Sequence, residues 1–208
     1  MMMRVAVDGP SGAGKSTIAK KIAGALDIEY IDTGAMYRAV ALKAIREDVD
    51  VLDIIDDIRI ELENGKIILD GEDVSGLIRT PEVTMMASSV SAVPEVRTKL
   101  VELQRDMGRT QSVIMDGRDI GTNVFTDAEY KFFMTASPEE RARRRVLEQQ
   151  EKGMTQRYEE VLEDIQTRDY NDSHRALNPL RQADDAILID TDGLTIDGVV
   201  RLILSYIK

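Results

Sequence analysis

The chain has no cysteine and a single histidine, His174, among its 208 residues. Without cysteine there is no disulfide, no thiolate metal site and no sulfur nucleophile. One histidine excludes a multi-histidine metal centre built within one chain. Basic residues are the minority: 27 Lys and Arg stand against 38 Asp and Glu, a net charge of −11. That balance argues against sequence-independent binding to nucleic acid or to an anionic membrane surface. No apolar run approaches the roughly 20 residues that a membrane-spanning helix requires. The apolar opening, Met1 to Val7, stops at Asp8-Gly9-Pro10 and is too short for a signal peptide. The absence of cysteine fits a reducing compartment, and the expectation is a soluble, cytoplasmic protein. What is present, 43% hydrophobic and 31% charged residues, suits one domain that buries a real core, with room for an insertion.

Arg4 to Asp8 is a short apolar run halted by Gly-Pro and reads as a buried strand. A glycine-rich turn follows, then a helix from about Lys15 to Leu26 with Ile18, Ile22, Ala25 and Leu26 as its apolar stripe. Ile28 to Ile31 is a second strand, and Asp32-Thr33-Gly34 opens a second helix. This alternation predicts an α/β fold, a parallel sheet with helices on both faces. The middle differs: Ile58–Leu62 and Lys66–Leu69 flank Asn64-Gly65, a hairpin signal. Helical stretches follow near Pro81–Val90 and Pro94–Met107. Residues 50 to about 93 read as an insertion on the main domain. The parallel pattern returns with strands at Ser112–Met115, Tyr130–Thr135 and Ala186–Ile189. Helices are predicted at Thr155–Tyr170 and Ile196–Ile207, and another starts at Pro138, with Ser137 and Glu140 forming a capping box.

The chemistry begins at Gly9-Pro10-Ser11-Gly12-Ala13-Gly14-Lys15-Ser16-Thr17. The segment matches G-x-x-x-x-G-K-[ST], and it lies between a predicted strand and a predicted helix, the context this motif needs. Glycines let successive N–H groups turn inward onto phosphate oxygens, and the helix N-terminus adds positive potential. Lys15 reaches the terminal phosphates as a point charge, and Ser16 is placed to ligate Mg²⁺. The loop alone says nucleoside triphosphate and leaves motor, switch and kinase open. No guanine-reading N-K-x-D is present, which counts against a regulatory GTPase.

Further charges fall just beyond predicted strands: Thr33 to Arg38 after the second, and Asp116-Gly117-Arg118-Asp119 after the third parallel strand. Arg168, Asp172 and Arg175 end a helix. Ligands of open α/β sheets gather outside the strands' carboxyl ends. An acidic protein that collects arginines there is plausibly built to hold a second phosphorylated molecule.

The segments DGPSGAGKST, DTGAMYR, GEDVSGLIRT, PEVR, DGRDIGT, SPEERARRR, QEKG and RDYNDSHRALNPL together resemble the bacterial cytidylate kinase family over nearly the whole chain. The resemblance implies γ-phosphoryl transfer from ATP to CMP or dCMP, with Mg²⁺ as cofactor. It implies a P-loop kinase fold: a five-stranded parallel core, a lid near residues 141–157, and an inserted monophosphate-binding segment containing a β-hairpin. The single domain would then be a core of residues 1–49 and 94–208 around an insert of about 50–93. Matched motif by motif, Arg38, Arg118 and Arg168 hold the acceptor phosphate. Ser88, Arg97 and Asp119 read the cytosine, Asp172 and Arg175 lie near the ribose, and Thr33 and Tyr37 line the same pocket. Asp116 holds Mg²⁺ with Ser16, through water, and Arg144 is chosen among the lid arginines as donor to the ATP phosphates. Ser16 stands where some relatives carry Gly. The resemblance also implies a monomer acting on small molecules. Readings kept beside it are a P-loop kinase for UMP, AMP or a non-nucleotide acceptor, a nucleotide-gated binding or regulatory protein, and an RNA-binding P-loop ATPase. His174 is expected on the surface without a catalytic role.

Overall fold

The computed structural model describes residues 2–63, 65–151 and 153–207. Asn64 of the hairpin signal and Lys152 of the lid-like segment lie outside them. Five strands form one parallel sheet: β1 (Arg4–Asp8), β2 (Glu29–Asp32), β6 (Val113–Gly117), β7 (Tyr130–Thr135) and β8 (Ile187–Asp190), in the order β2-β6-β1-β7-β8. β1 lies at the centre, bonded to β6 on one side and β7 on the other. Its Val5, Ala6 and Val7 are all fully buried, because a central parallel strand has helices on both faces. Val5 and Val7 join the core beneath α1 (Lys15–Leu26) and α8 (Ile196–Tyr206). Ala6 faces the other way, toward Val101 of α5 (Pro94–Thr110).

A third core joins α2 (Thr33–Glu47), α3 (Val51–Ile54), α4 (Pro81–Val90) and α5 to a small sheet of β3 (Ile60–Glu63), β4 (Lys66–Leu69) and β5 (Glu72–Asp73). β3 and β4 pair antiparallel from Ile60–Leu69 to Glu63–Lys66. Residues 50–93 therefore have their apolar side sealed against α2 and α5. The sequence pattern does not announce α3 or β5, because four and two residues are too short to express a period. Asp50 caps α3 by accepting from the Leu52 N–H.

α6 (Pro138–Glu151) and α7 (Tyr158–His174) pack together through Ala142, Val161 and Ile165. The Ser137–Glu140 capping box is only half formed. Ser137 Oγ accepts from the Glu140 N–H at 3.3 Å, but the Glu140 carboxylate takes Arg144 at 3.0 Å instead of reaching back. Asp192 accepts the Ser137 N–H in its place. A charge-assisted bond wins over a neutral amide donor. α7 begins three residues later than the sequence pattern implies and ends four later, at His174. Glu160 accepts the Arg157 N–H at its start, and His174, exposed, stacks on Tyr170 at its end. β8 starts at Ile187, since the Ala186 N–H is turned onto the Ala183 carbonyl.

The segment after β6 forms one turn of π-helix, Ile120–Val124, a geometry common beside functional sites. Among the described residues no helix is long and apolar enough to cross a membrane.

The register brings β1, β2 and β6 to a common edge, where Asp32 lies opposite Asp116 and Asp8 opposite Gly117. Behind that edge α5 rests against the π turn without spare room: a Cβ built on Gly108 meets the Phe125 ring at 2.3 Å. Gly108→Ala therefore gains about 1 kcal/mol of helix propensity but must displace the ring. A net loss of about 1–2 kcal/mol is expected from overpacking, read as a lower urea midpoint with unchanged slope.

Candidate active site

The phosphate loop is shaped by its backbone. Gly9 has φ +147° and runs against β7, where a Cβ would stand 1.9 Å from the Met134 carbonyl oxygen. Gly14 caps α1 with φ +85°. Ser11 to Ile18 line the main cleft of the molecule, about 570 Å³ in volume. Gly9 and Pro10 do not line it. They close the turn, and the Pro10 carbonyl accepts from Lys15 Nζ at 2.8 Å. Lys15 is buried, and burial together with the Arg118 charge pushes its pKa down to about 7. Behind the loop Arg141 is locked in place. It donates to the carbonyls of Ser11 and Ala136, both at 3.0 Å, and forks onto Asp169 at 3.0 and 2.6 Å.

Asp116, at the end of β6, is buried and receives two hydroxyls, Ser16 Oγ at 2.9 Å and Tyr30 Oη at 2.8 Å. Burial, then the neighbouring Asp32 charge, raises its pKa. Thr33 Oγ1 donates to the Asp116 main-chain oxygen at 2.7 Å, tying α2 to β6. Among the described residues no group of three or more histidine or acidic side chains forms a metal cage. Ser16 with Asp116 is instead a pair of hard oxygens. Such a set suits Mg²⁺, which keeps waters and takes its other ligands from substrate phosphates.

Across the cleft the arginines are braced by aspartates. Asp32 caps α2 by accepting from the Ala35 N–H and pairs with Arg38 at 3.0 Å, with Arg79 at 3.6 Å. Arg118 Nε donates to Asp172 at 2.7 Å. Burial opposes ionisation of Asp172, yet the Arg118 charge and hydrogen bond hold its pKa below the usual value. Asp172 and Arg175, three residues apart on the chain, do not pair with each other. Arg175 instead reaches Asp119 at 3.2 Å. Arg97 is only 2% exposed and binds the other oxygen of Asp119 at 2.5 Å, with Asn123 adding a donor at 3.1 Å. Arg97 therefore points into the cleft and not to solvent. Its guanidinium carbon stands 5.7 Å from the Tyr37 ring centroid. Arg168 Nε is buried with no hydrogen-bond partner. Burial, then Arg118, lowers the Arg168 pKa to about 10, and Arg145 and Arg38 add to the effect.

Two expected site residues have partners that the sequence does not announce. Thr84 and Ala87 of α4, with Ser91 at its C-terminal cap, line the cleft. The Ser88 carbonyl accepts from Ser91 Oγ at 2.8 Å. Arg144 does line the cleft, but its nitrogens are committed to Glu140, Thr191 Oγ1 and the Thr191 carbonyl at 2.7–3.0 Å. Three of its five N–H donors are thus taken and two remain. Sequence reasoning did not find Asp8, Tyr30, Asp32, Arg79 and Thr191. Asp8, Asp32 and Arg79 carry a signal, since each sits inside a motif already singled out, whereas Tyr30 and Thr191 carry none.

Tyr30→Phe removes one of the two side-chain donors to the buried Asp116. A loss of about 1–2 kcal/mol in unfolding free energy is expected, measured by urea denaturation at neutral pH, with no change in secondary structure.

A family model described as cytidylate kinase matches residues 5–208. A cytidylate kinase of Clostridium perfringens is 52% identical over 213 residues, covering 100% of this chain and 98% of that protein. Those of Lactobacillus gasseri and Caldicellulosiruptor saccharolyticus are 52% and 50% identical, covering 100% and 98% of this chain and 94% of each relative. Among solved structures, shikimate kinase from Bacteroides thetaiotaomicron superposes with a TM-score of 0.53 at 15% identity, covering 99% of this chain and 98% of its own. A gluconokinase from Sinorhizobium meliloti gives 0.52 at 13%, covering 98% and 90%. At such identities these two speak for the fold, the five-stranded P-loop kinase sheet with its flanking helices. The full-length sequence matches go further, and by them the chain belongs to the cytidylate kinase family.

Proposed function

We propose that this chain transfers the γ-phosphoryl group of ATP to CMP or dCMP, giving ADP and CDP or dCDP. The observation that carries this reading is one cleft with two chemically different walls. On one wall is the Ser11–Thr17 loop with Lys15. On the other are Arg38, Arg118 and Arg168 and the buried Arg97–Asp119 pair.

The ATP tail enters the loop, where backbone N–H groups and Lys15 take its β- and γ-phosphates. Anionic oxygens beside Lys15 Nζ offset the burial that depresses its pKa and keep it charged. Arg38, Arg118 and Arg168 hold the acceptor phosphate. Arg168 is the freest of the three, since the other two already share an edge with Asp32 or Asp172. A CMP phosphate oxygen attacks the γ-phosphorus in line, the bond to the β-bridging oxygen breaks, and ADP leaves with that electron pair. The attacking oxygen is already ionised at neutral pH, so no general base is required. Catalysis consists of positioning and charge neutralisation. Ser16 and Asp116 would hold Mg²⁺, Asp116 through water, and the ion would supply neutralisation of phosphate charge.

Asp119 Oδ1 carries only Arg175 and keeps acceptor capacity for the exocyclic amine of cytosine. Asp172 has one oxygen on Arg118 and the other available to the ribose hydroxyls. Arg144 lines the cleft with Leu194 and Ile196 and offers its two remaining N–H groups to the ATP phosphates. Arg145, whose charge is felt by Arg168, is a further lid cation. Residues 50–93 and about 141–157 are the segments that close over acceptor and donor. We take the enzyme to act as a cytoplasmic monomer on small molecules alone, in keeping with its net charge of −11.

ADP release measured against a panel of acceptors tests the reading. CMP and dCMP should stimulate it well above UMP and AMP. Tight ATP binding with no acceptor stimulation would make the chain a nucleotide-gated binding protein instead. Lys15→Met should cut turnover by at least about 100-fold while thermal unfolding stays cooperative. Full kcat in that folded variant would remove Lys15 from the mechanism. Asp119→Asn should lower the CMP-to-UMP ratio of kcat/KM by about 10- to 100-fold, because the wrong base no longer leaves a carboxylate unpaired. An unchanged ratio would place base reading elsewhere.

A further inference from the structure

Asp8 ends β1 directly before the phosphate loop, yet it touches no part of that loop by hydrogen bond. Its side chain is buried, 5% exposed, and accepts from two backbone amides on the far side of the sheet edge: Ile120 N–H at 2.8 Å through Oδ1 and Gly121 N–H at 2.7 Å through Oδ2. These are the first two N–H groups of the π turn. Such N–H groups have no partner within their own turn, so a carboxylate there acts as its cap. The residues immediately before them are Arg118 and Asp119. The Asp119 carbonyl in turn accepts from the N–H groups of Asn123 and Val124, closing the turn, while its carboxylate holds Arg97 and Arg175. A single side chain on the donor side of the cleft thus fixes the backbone that aims the acceptor side.

We propose that Asp8, in its ionised form, is a positioning residue for the nucleotide acceptor: it clamps the π turn so that Arg118 and Asp119 meet the monophosphate and its base at the correct distance from the phosphate loop. This rests on the proposed kinase reading, because it uses the assignment of Arg118 and Asp119 to the acceptor.

The clamp has room for nothing else. A Cβ on Gly121 would lie 3.4 Å from Asp8 Oδ2 and 3.2 Å from Lys131 Cδ. The charged groups that face Asp8 are Asp119, which disfavours its ionisation, and Lys15, which favours it. Lys131 passes the same glycine but sends its ammonium to Asp185 and the Thr126 carbonyl. Burial outweighs the two amide bonds and pushes the Asp8 pKa up to about 6. Above that value both oxygens accept. Below it one oxygen carries a proton and faces an N–H donor, so one of the two bonds is lost. The clamp therefore holds at higher pH and slackens as pH falls through about 6.

Asp8→Asn tests it, since the amide keeps the shape but offers one acceptor and sets an NH₂ against the second N–H. At pH 7.5 the KM for CMP should rise about tenfold, the Kd for ATP measured calorimetrically should stay within about twofold, and the preference for CMP over UMP should fall. In the wild type, log(kcat/KM) for CMP should bend downward more steeply below about pH 6 than in the variant, whose remaining bend is that of the CMP phosphate itself. Should the variant not fold, the wild type alone decides. In ¹⁵N-correlated spectra the Ile120 and Gly121 amides should titrate together with a midpoint near 6, as N–H donors to a carboxylate do. A folded Asp8→Asn enzyme with unchanged KM for CMP and an unchanged pH bend, or flat Ile120 and Gly121 amide shifts between pH 5 and 7.5, overturns the proposal. Failure of the kinase reading looks different, because wild-type ADP release would then ignore CMP while the amides still titrate.

Discussion

Everything in this cleft depends on holding several guanidinium groups together where water is scarce. Arg38, Arg97, Arg118, Arg168 and Arg175 share one cavity with Lys15. Bare cations this close would repel one another and would lose more by desolvation than any later ligand returns. The fold answers with Asp32, Asp119 and Asp172, each taking one edge of an arginine and leaving the rest. The supply of counter-charge stops short of neutrality. Arg168 keeps a buried Nε without a partner, and Lys15 has only a carbonyl. A phosphorylated ligand adds the missing negative charge. The depressed pKa values of Lys15 and Arg168 are the same fact seen from the proton's side: both sites disfavour an unneutralised cation.

The sheet makes that arrangement possible. Because β2, β6 and β1 are parallel, their C-terminal ends arrive on one edge, where Asp32 lies opposite Asp116 and Asp8 falls one residue further along, opposite Gly117. Their fates differ with their neighbours. Asp32 caps a helix and braces Arg38. Asp116 collects two hydroxyls and faces the Ser16 side of the loop. Asp8 collects two amides and faces the π turn. Aspartates at three neighbouring strand ends thus serve three separate segments. Arg141 does the same work from behind, joining the phosphate loop to α6 and α7 through a carbonyl and a forked carboxylate.

What the sequence makes legible follows from how local each signal is. The phosphate loop, the strand–helix alternation and the motifs around Arg38, Arg118 and Arg168 lie within a few consecutive residues, and the structure brings them to one cleft. The partners that give these residues their geometry are distant in sequence. Tyr30 meets Asp116 across 86 residues, Asp8 meets Gly121 across 113, and Arg144 meets Thr191 across 47. No spacing rule encodes such pairs. The capping box at Ser137 is only half formed, for one local reason and one distant one. Its local pattern was sound, but Arg144 and Asp192 offered better partners for Glu140 and Ser137. α3, β5 and the π turn escaped because they are shorter than the periods by which elements are read.

In the proposed function, base recognition rests on what the Arg97–Asp119 pair offers and a serine hydroxyl does not. A hydroxyl both donates and accepts, and so tolerates cytosine and uracil alike. The Arg97–Asp119 pair does not: it offers fixed donors beside a fixed acceptor, locked by burial and by Arg175 and Asn123. Uracil, with its N3–H and O4 reversed in polarity, would set donor against donor and acceptor against carboxylate. In a buried site neither mismatch can be relieved by water, so the penalty is carried in full. Discrimination by this pair requires that Asp119 stay fixed on the backbone turn that carries it. Selectivity for the base is therefore linked to the rigidity of the π turn, and so to whatever anchors that turn to the centre of the sheet.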